Sequence, residues 1–204
     1  MKIFCVGRNY KNHAIELNNK VPVEPVIFMK PETSLFCNNN TFYIPDFSKE
    51  IHYECELVYK ICKTGKHIKK YLATEYYKEI GLGIDFTARD LQKKLKDKGL
   101  PWEKAKSFDN SAAISFEFIP IKKLLNKNAI RFSLKKNDDK VQSGNSELML
   151  FSIDTIISHI SDYFTLETGD LIFTGTPEGV GPVSSGDRLE GFLENQKMFN
   201  FNIK

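Results

Sequence analysis

Three acidic residues stand where their carboxylates can meet. Glu54 and Glu56 are two apart in HYECELVYK, whose alternation and content of Tyr, Val and Cys predict a strand over 52–62. Residues two apart on a strand face the same side, about 7 Å apart along it. Asp85 ends the apolar segment GLGID, just before a predicted helix, where α/β-type sites gather polar groups. Three carboxylates make an all-oxygen site, which favours Mg²⁺, Mn²⁺ or Ca²⁺ over zinc.

Two other interpretations of these acids stay open. Two glutamates with this spacing are commonly just the solvated face of a strand, although the flanking Tyr53, Cys55 and Leu57 argue for burial. His52 lies on the same side as Glu54 and would turn the site toward zinc. Such a histidine more often makes a hydrogen bond at the edge of a site, so it is left out of the predicted ligands.

A histidine and a glutamate lie three residues apart in NHAIE. On a helix, His13 and Glu16 are neighbours, and a carboxylate beside an imidazole fixes its tautomer. The histidine is therefore a candidate general base. Exposed pairs of this kind are frequent on helices, so the pair alone is weak evidence.

Two further segments carry polar groups that suit an anion. Lys106, beside Ala105 and before Ser107 and Phe108, is expected in a partly enclosed place where it pairs with an anion. In GDLIFTGTPEGVGP a buried strand enters a turn whose hydroxyls and backbone N–H groups, Thr176 among them, are suited to a carboxylate or an oxyanion. Neither nucleotide-binding glycine pattern, GxxxxGK[ST] nor GxGxxG, is present.

The pattern of elements predicts a strand-dominated α+β protein, a mixed sheet or roll with short helices on its outside, in one domain over 1–204. Strands are expected at 2–6, 80–86, 131–136, 170–174, 188–193 and 198–203. Helices are expected at 70–78, 88–98 and 152–163, and a short one after Asn9, with Asn9 and Thr87 as N-caps. The loop-rich section over 21–45 contains three successive asparagines, Asn38–Asn40.

Composition excludes several classes of protein. Of 204 residues, 41% are hydrophobic and 27% charged, which excludes disorder and collagen. The net charge of +3 is too balanced to predict a nucleic-acid partner, and the lysines over 93–98 lack interleaved aromatic residues. No apolar run reaches the length of a membrane span or a signal sequence. We expect a cytoplasmic protein with Cys5, Cys37, Cys55 and Cys62 reduced.

Taken together, these segments resemble the fumarylacetoacetate hydrolase family. The resemblance runs in order through GRNYKNHAIE, IFMKP, HYECELVYKI, GLGIDFTARDLQ, GLPWEKAKSFD and GDLIFTGTPEGVGP, which is nearly the whole chain. It is closest to the short members, which include acylpyruvate hydrolases, oxaloacetate decarboxylases or tautomerases, and isomerases of 2-hydroxyhepta-2,4-diene-1,7-dioate. It implies the mixed β-sandwich roll of that family, usually assembled as a homodimer.

The resemblance also implies roles for individual residues. Mg²⁺ or Mn²⁺ would be held by Glu54, Glu56 and Asp85, and the catalytic residues would be His13, Glu16 and Lys106. Arg89, Gln92 and Thr176 match substrate-binding or supporting positions.

The implied substrate is a small 2-oxo acid. The implied reaction is hydrolysis of a carbon–carbon bond in an acylpyruvate or fumarylpyruvate, with oxaloacetate decarboxylation possible; isomerase or tautomerase activity is the alternative. A catalytically silent binder of metal or metabolite is a more remote one. Two departures from the family pattern are Asn137-Asp138, where an Asn-Gly pair is frequent, and Ser107 in place of Gly.

Overall fold

The computed structural model describes residues 1–17, 19–36 and 41–204. Cys37 and Asn38–Asn40 lie outside the described residues. The strands, numbered in chain order, are β1 (Ile3–Gly7), β2 (Val26–Lys30), β3 (Leu35–Phe36), β4 (Ile51–Tyr53), β5 (Cys55–Ile61), β6 (Tyr77–Asp85), β7 (Thr87–Ala88), β8 (Ala112–Ile114), β9 (Ile119–Pro120), β10 (Arg131–Lys136), β11 (Asp139–Asn145), β12 (Leu171–Phe173), β13 (Gly181–Pro182), β14 (Arg188–Leu193) and β15 (Gln196–Asn202).

The helices are short. They are α1 (Lys11–Glu16), α2 (Arg89–Asp97), α3 (Glu103–Lys106) and α4 (Ile153–Tyr163), with 3-10 turns at Glu32–Ser34, Lys70–Glu75, Ile121–Lys123 and Ser146–Leu148. No helix in the described part of the chain has the length and apolar character needed to cross a membrane.

The strands form a large mixed sheet and two smaller ones. The large sheet has eight strands in the order β2-β1-β12-β5-β6-β8-β3, with β9 paired to β6. Its β1–β12 and β3–β8 pairs are parallel and the others antiparallel. A four-stranded sheet runs β11-β10-β14-β15, and a three-stranded sheet runs β13-β4-β7. The predicted strand-dominated α+β architecture is confirmed.

The hydrophobic core lies between the large sheet and the elements that pack on it, the four-stranded sheet and α4. Leu57 and Leu82 of the large sheet share one apolar cluster with Leu134 and Phe199 of the four-stranded sheet. Elsewhere Phe4 packs with the apolar face of α4, whose buried residues Ile156, Ile157 and Ile160 confirm the predicted amphipathic helix. Ser152 caps α4 by accepting the Thr155 N–H.

Two predicted elements differ from the structure. The single strand expected over 52–62 is divided at Glu54: β4 belongs to the three-stranded sheet and β5 to the large one. The helix expected over 70–78 is a 3-10 turn that stops at Glu75, because Tyr77 begins β6 and pairs with Ile61. Tertiary pairing overrides the local helical spacing there.

Two predicted caps have other partners. The side chain of Asn9 accepts the Phe151 N–H and donates to the carbonyls of Phe151 and Thr174, so it does not cap α1. Thr87 lies in β7, and its hydroxyl donates to the Asp85 carbonyl rather than capping α2.

The turn between β10 and β11 has positive φ at Asn137 and Asp138 (52° and 74°), and these residues tolerate that geometry. The β10–β11 hairpin therefore forms its turn without the glycine of the Asn-Gly pair that is frequent in the family.

The glycines of GLGID allow the large sheet to pack closely. A Cβ at Gly83 would lie 2.6 Å from the Ala113 carbonyl oxygen and 2.6 Å from the Phe173 ring. We expect Gly83→Ala to lower the free energy of unfolding by about 1–3 kcal/mol, because this carbonyl is part of the β8 backbone and cannot withdraw freely. Urea denaturation measures the loss, with Lys78→Ala on the exposed side of β6 as the control. An unchanged midpoint would contradict the close packing.

Candidate active site and metal centre

The three predicted acids meet in the interior. Glu54 lies between β4 and β5, Glu56 follows on β5, and Asp85 ends β6, so that strand pairing brings all of them together. Each offers an oxygen within 4.8 Å of the others, and they are 5%, 2% and 1% exposed respectively. The solvated strand face considered from the sequence is therefore wrong.

Two cations face this cluster from the helices that follow. Lys106 Nζ on α3 donates to Glu54 Oε2 at 2.8 Å, to Asp85 Oδ2 at 2.6 Å and to Thr87 Oγ1 at 2.6 Å. Arg89, the first residue of α2, donates to Glu54 Oε1 at 2.6 Å. Lys106 is only 3% exposed, as its sequence context predicted.

A third cation, which no sequence pattern indicated, also reaches the cluster. Lys30, at the end of β2 and 1% exposed, places Nζ 2.8 Å from Asp85 Oδ1. Its hydrogen bonds go to the Lys106 carbonyl and to the carbonyl and hydroxyl of Ser111, so the contact with Asp85 is an ion pair without hydrogen-bond geometry. Asp85 Oδ1 is thus a buried oxygen that accepts no hydrogen bond.

The surroundings of Asp85 Oδ1 show whether the site is suited to a metal cation. Buried carboxylate oxygens normally accept hydrogen bonds, and this one, which is paired with Lys30 by charge alone, has lone pairs available to a metal. The carboxylate set contains no sulfur or nitrogen, which favours a hard cation such as Mg²⁺ or Mn²⁺. The residues present therefore fit the group that the sequence predicts.

The charges around the cluster shift its pKa values in opposite directions. Burial alone would raise the pKa of Glu54, but Lys106 and Arg89 hold it well below its usual range. The pKa of Glu56 is raised well above its usual range by burial and by the charges of Asp85 and Glu54. Burial acts to lower the pKa of Lys106, but Asp85 and Glu54 outweigh it and raise that pKa. Lys106 is therefore a fixed positive charge.

His52 lies outside the carboxylate cluster. Its ring nitrogens contact Glu50 Oε1 at 2.9 Å and Arg89 Nε at 3.4 Å. Burial and the charge of Arg89 lower its pKa. Among the residues that the structure describes, the candidate ligand group is Glu54, Glu56 and Asp85 alone, without a histidine or cysteine.

The predicted dyad forms on α1. His13 Nδ1 lies 3.1 Å from Glu16 Oε2, and Glu16 Oε1 accepts the Gly179 N–H at 3.0 Å. Glu16 is thus anchored to the turn after β12 while it orients the imidazole. With Nδ1 engaged as the N–H donor, Nε2 is the ring nitrogen left to accept a proton. His13 lines the same cleft as the three carboxylates.

Polar groups of the turn after β12 form hydrogen bonds with other parts of the protein. The Gly175 N–H donates to Glu56 Oε2 at 2.7 Å. The Thr176 hydroxyl donates to the Cys55 carbonyl and accepts from Gln142 Nε2, each at 2.8 Å. Gln142 also accepts the Cys55 N–H, so it ties β11 to the start of β5. The backbone N–H that was expected to hold a substrate anion instead holds a candidate metal ligand.

Eight of the nine predicted site residues line one cleft, and the ninth, Glu16, stands behind His13. Gln92 lies on α2, where its side-chain oxygen accepts from Arg89 at 2.6 Å. The cleft is lined by His13, Glu54, Glu56, Asp85, Arg89, Gln92, Lys106 and Thr176, together with Val6, Gly7, Arg8, Leu17, Asn19, Phe28, Lys96 and Trp102. Arg8 and Lys96 were not singled out from the sequence.

We expect Lys30→Met to destabilise the metal-free protein by about 3–5 kcal/mol, because it leaves three buried carboxylates with only two cations, Lys106 and Arg89, in contact with them. Chemical denaturation measures the change. Lys63→Met is the control, since its ammonium pairs with Glu75 at the surface, where both side chains are about half exposed. Equal effects of the two substitutions would contradict the importance of the buried pair.

Comparison with known proteins places this geometry in a family. The model of the fumarylacetoacetate hydrolase C-terminal domain matches residues 2–200. Mitochondrial oxaloacetate tautomerase FAHD1 of Mus musculus is 41% identical over 202 residues, covering 99% of this chain and 91% of the relative. Oxaloacetate tautomerase YcgM of Escherichia coli K12 is 41% identical over 194 residues, covering 92% and 86%.

A solved structure agrees in fold. Fumarylpyruvate hydrolase from Pseudomonas aeruginosa, crystallised with Mn²⁺ and pyruvate, superposes with a TM-score of 0.94 at 33% identity, covering 100% of this chain and 89% of that one. The match spans the segments that carry the three carboxylates, the His13–Glu16 pair and Lys106. The chain belongs to the fumarylacetoacetate hydrolase family.

Proposed function

We propose that this chain is a divalent-metal-dependent enzyme that interconverts the keto and enol forms of a small 2-oxo acid, with oxaloacetate as the first candidate. The observation that carries the proposal is the His13–Glu16 pair on the same cleft as three buried carboxylates. The two curated relatives at 41% identity, from mouse and Escherichia coli, are both oxaloacetate tautomerases. Members of the family act as tautomerases, isomerases and hydrolases.

Glu54, Glu56 and Asp85 would hold Mg²⁺ or Mn²⁺. A divalent cation bound there would supply Lewis-acid chemistry: it would polarise the substrate carbonyl and stabilise negative charge on its oxygen. The Pseudomonas hydrolase was crystallised in complex with Mn²⁺ and pyruvate, a 2-oxo acid, which supports this assignment. The buried Asp85 Oδ1, which accepts no hydrogen bond, supports it independently.

His13 moves the proton in this proposal. Its Nε2 accepts a proton from C3 of the keto form and delivers a proton to the C2 oxygen, which gives the enol; in the reverse direction it takes the O–H proton of the enol and delivers one to C3. Glu16 holds the ring from the opposite side. Lys106 cannot share that task, because Asp85 and Glu54 raise its pKa and keep it protonated. It supplies positive charge next to the reacting oxygens. Arg89 and Gln92 are proposed to bind the substrate carboxylate.

Thr176 has a narrower role than its sequence position suggested. Its hydroxyl proton goes to the Cys55 carbonyl, and Gln142 donates to its oxygen. We propose that Thr176 supports substrate binding by fixing the shape of the turn that lines the cleft. It does not donate its hydroxyl proton to the substrate. In the same turn, the Gly175 N–H orients Glu56 by a hydrogen bond. One turn therefore shapes both the substrate side and the metal side of the cleft.

Hydrolysis of acylpyruvates is the second candidate function. It needs the same enolate together with a water molecule, which His13 would deprotonate for attack on the distal carbonyl. The similarity to the fumarylpyruvate hydrolase favours it, at a lower identity of 33%. Decarboxylation of oxaloacetate would use the same charge stabilisation without activating water.

One assay panel tests these candidates. Exchange of C3 protons of oxaloacetate with deuterium is followed by NMR, and pyruvate release is followed from oxaloacetate and from fumarylpyruvate, with Mg²⁺, Mn²⁺ or a chelator. We expect metal-dependent exchange from oxaloacetate that is faster than pyruvate release. Faster pyruvate release from fumarylpyruvate would favour the hydrolase. A protein inert toward all of them with either metal would be the silent binder, and the proposal would be wrong.

Three further predictions are kept as proposals. We propose that residues 1–204 work as one catalytic domain and that two copies associate as a homodimer, which light scattering after size-exclusion chromatography tests. The cytoplasmic location also stays a prediction, because the mouse relative is mitochondrial and the other bacterial.

A further inference from the structure

The inner part of the cleft is balanced in charge. Its three carboxylates are matched by three cations, which contact two of them: Lys30 lies 2.8 Å and Lys106 2.6 Å from Asp85, and Arg89 lies 2.6 Å from Glu54. A divalent cation adds two positive charges, and the enolate of a 2-oxo acid head carries two negative ones. The inner part is therefore matched to the head of the substrate and needs no further anion.

The outer part of the cleft is not balanced. Arg8 and Lys96 also line it, and no carboxylate within the described parts of the chain lies within 4 Å of either. The only polar contact described for these two groups is a hydrogen bond from Lys96 Nζ to Asn19 Oδ1, at 2.8 Å. Burial and the nearby charges of Arg8 and Arg89 lower the pKa of Lys96. Two cations thus share one rim, and neither has an ion-pair partner in the described part of the chain; Asp97 opposes the lowering of the Lys96 pKa only from beyond contact distance.

The backbone at Arg8 is held in an uncommon conformation. Its φ is 60°, in the left-handed region that costs a residue with a Cβ about 1–2 kcal/mol. The neighbouring Asn9 is fully buried, and its side chain is bonded to Phe151 and Thr174, so the chain is fixed on the far side of the turn. This anchor places Arg8, half-buried, against the cleft. Strain of this kind persists where the surrounding structure imposes it, and it concentrates at ligand sites.

The wall between the two parts is apolar. Phe28 and Trp102 line the cleft and pack on one another with ring centroids 6.0 Å apart. Apolar walls exclude water and strengthen the attraction between a cation and an anion beside them. Phe28 lies against the inner part, with Lys106 Nζ 5.3 Å from its ring centroid, and Trp102 lies near Gly7, the neighbour of Arg8, where an added Cβ would be 3.9 Å from its ring.

We propose that Arg8 and Lys96 form a subsite for a second carboxylate, so that the enzyme selects 2-oxo dicarboxylates over 2-oxo monocarboxylates. This inference rests on the proposed function and names its substrate class. Arg8 is the principal contact, because it is half-buried and its planar guanidinium can bind a carboxylate with two hydrogen bonds. Lys96 stands at the exposed rim and contributes less.

The test measures binding to the Mn²⁺-loaded protein by calorimetry, with pyruvate as the monocarboxylate probe and 2-oxoglutarate as the dicarboxylate probe. The variants are Arg8→Gln and Lys96→Gln. Lys93→Gln is the matched control, since it removes the same charge from an exposed position of α2 that does not line the cleft. Lys96 is exposed, so its substitution keeps the test valid if Arg8→Gln fails to fold.

We expect wild-type protein to bind 2-oxoglutarate more tightly than pyruvate. Arg8→Gln should weaken 2-oxoglutarate binding about tenfold more than pyruvate binding, the scale of one charged hydrogen bond. Lys96→Gln should do so about two- to fivefold, the scale of an exposed ion pair. Both ratios should shrink in concentrated salt, and Lys93→Gln should leave them unchanged.

Different failures have different meanings. If wild-type protein binds both probes equally, or if the variants lose both probes to the same extent, the subsite is wrong while the proposed function stands. If metal-loaded wild-type protein binds neither probe, the proposed function is wrong and this inference is wrong with it.

Discussion

Glu56→Ala and Asp85→Ala should each abolish binding of a divalent cation and lower turnover at least about 10³-fold. A metal contributes several kcal/mol of charge stabilisation in such a reaction, and each 1.36 kcal/mol is a tenfold change in rate. Each substitution removes one of only three candidate ligands in the described chain. Calorimetric titration with Mn²⁺ and metal analysis of the purified variants measure the binding. Wild-type turnover by either variant in metal-free buffer would contradict the metal assignment.

An isosteric variant separates loss of metal from loss of fold. Burial and the Asp85 and Glu54 carboxylates raise the pKa of Glu56 in the folded protein above its ordinary value of 4.5. The metal-free folded state therefore holds this proton more tightly than the unfolded state does. Its stability falls as the pH rises from about 4.5 through the raised pKa. Glu56→Gln carries no such charge and should escape that loss.

The expected result is that the difference in melting temperature between the wild type and Glu56→Gln depends on both pH and metal. Without metal, Glu56→Gln should melt at a higher temperature than the wild type at pH 8, and the difference should shrink toward pH 4. With Mn²⁺, the wild type should gain melting temperature and the variant should not. Glu79→Gln, on β6 but outside the site, should follow the wild type throughout. If metal-free Glu56→Gln is less stable than the wild type at pH 8, the charge of Glu56 does not destabilise the folded protein and the prediction is wrong.

Much of this site was predictable because its residues lie in short, distinctive patterns. Glu54 and Glu56 converge with Asp85 even though the predicted single strand is divided at Glu54. The divided strand lets β4 leave for a second sheet while Glu54 stays beside β6, where its carbonyl accepts the Asp85 N–H at 2.8 Å. The prediction of convergence was confirmed, although the assumed continuous strand was wrong.

The residues that were missed act across long sequence separations. Lys30 is 55 residues from Asp85, and nothing in VIFMK distinguishes a buried ammonium from the exposed end of a strand. Gln142 appears in the sequence as a polar position on a hairpin, yet its amide ties Cys55 to Thr176. Such partners depend on how strands are ordered in a sheet, which local spacing does not encode.

The incorrect caps have the same physical origin. Asn9 and Thr87 have the side chains that helix N-termini prefer, and both precede a helix. Each instead bonds to groups that the folded chain brings close: Asn9 to Phe151 and Thr174, and Thr87 to Lys106. A buried polar side chain must satisfy buried partners, and that requirement outweighs a cap worth about 1 kcal/mol.

His13→Ala is expected to lower tautomerisation of oxaloacetate and hydrolysis of acylpyruvates by roughly 10²–10⁴-fold, the range of general acid–base catalysis. Decarboxylation of oxaloacetate should fall less, because it requires neither a base at C3 nor an activated water. Binding of Mn²⁺ should persist, since His13 is not among the candidate ligands. Rates with each substrate under saturating metal, together with a Mn²⁺ titration, measure these effects.

Two further variants show whether the loss belongs to the dyad. Glu16→Gln keeps the length of the side chain but removes the charge that orients the ring, so it should lose less activity than His13→Ala while affecting the same reactions. His67→Asn is the control, because His67 is exposed, lies outside the cleft, and has a positive φ (53°) that asparagine tolerates. Equal losses in all three reactions for His13→Ala would mean that the imidazole shapes the cleft rather than moving a proton, and the dyad would then be structural.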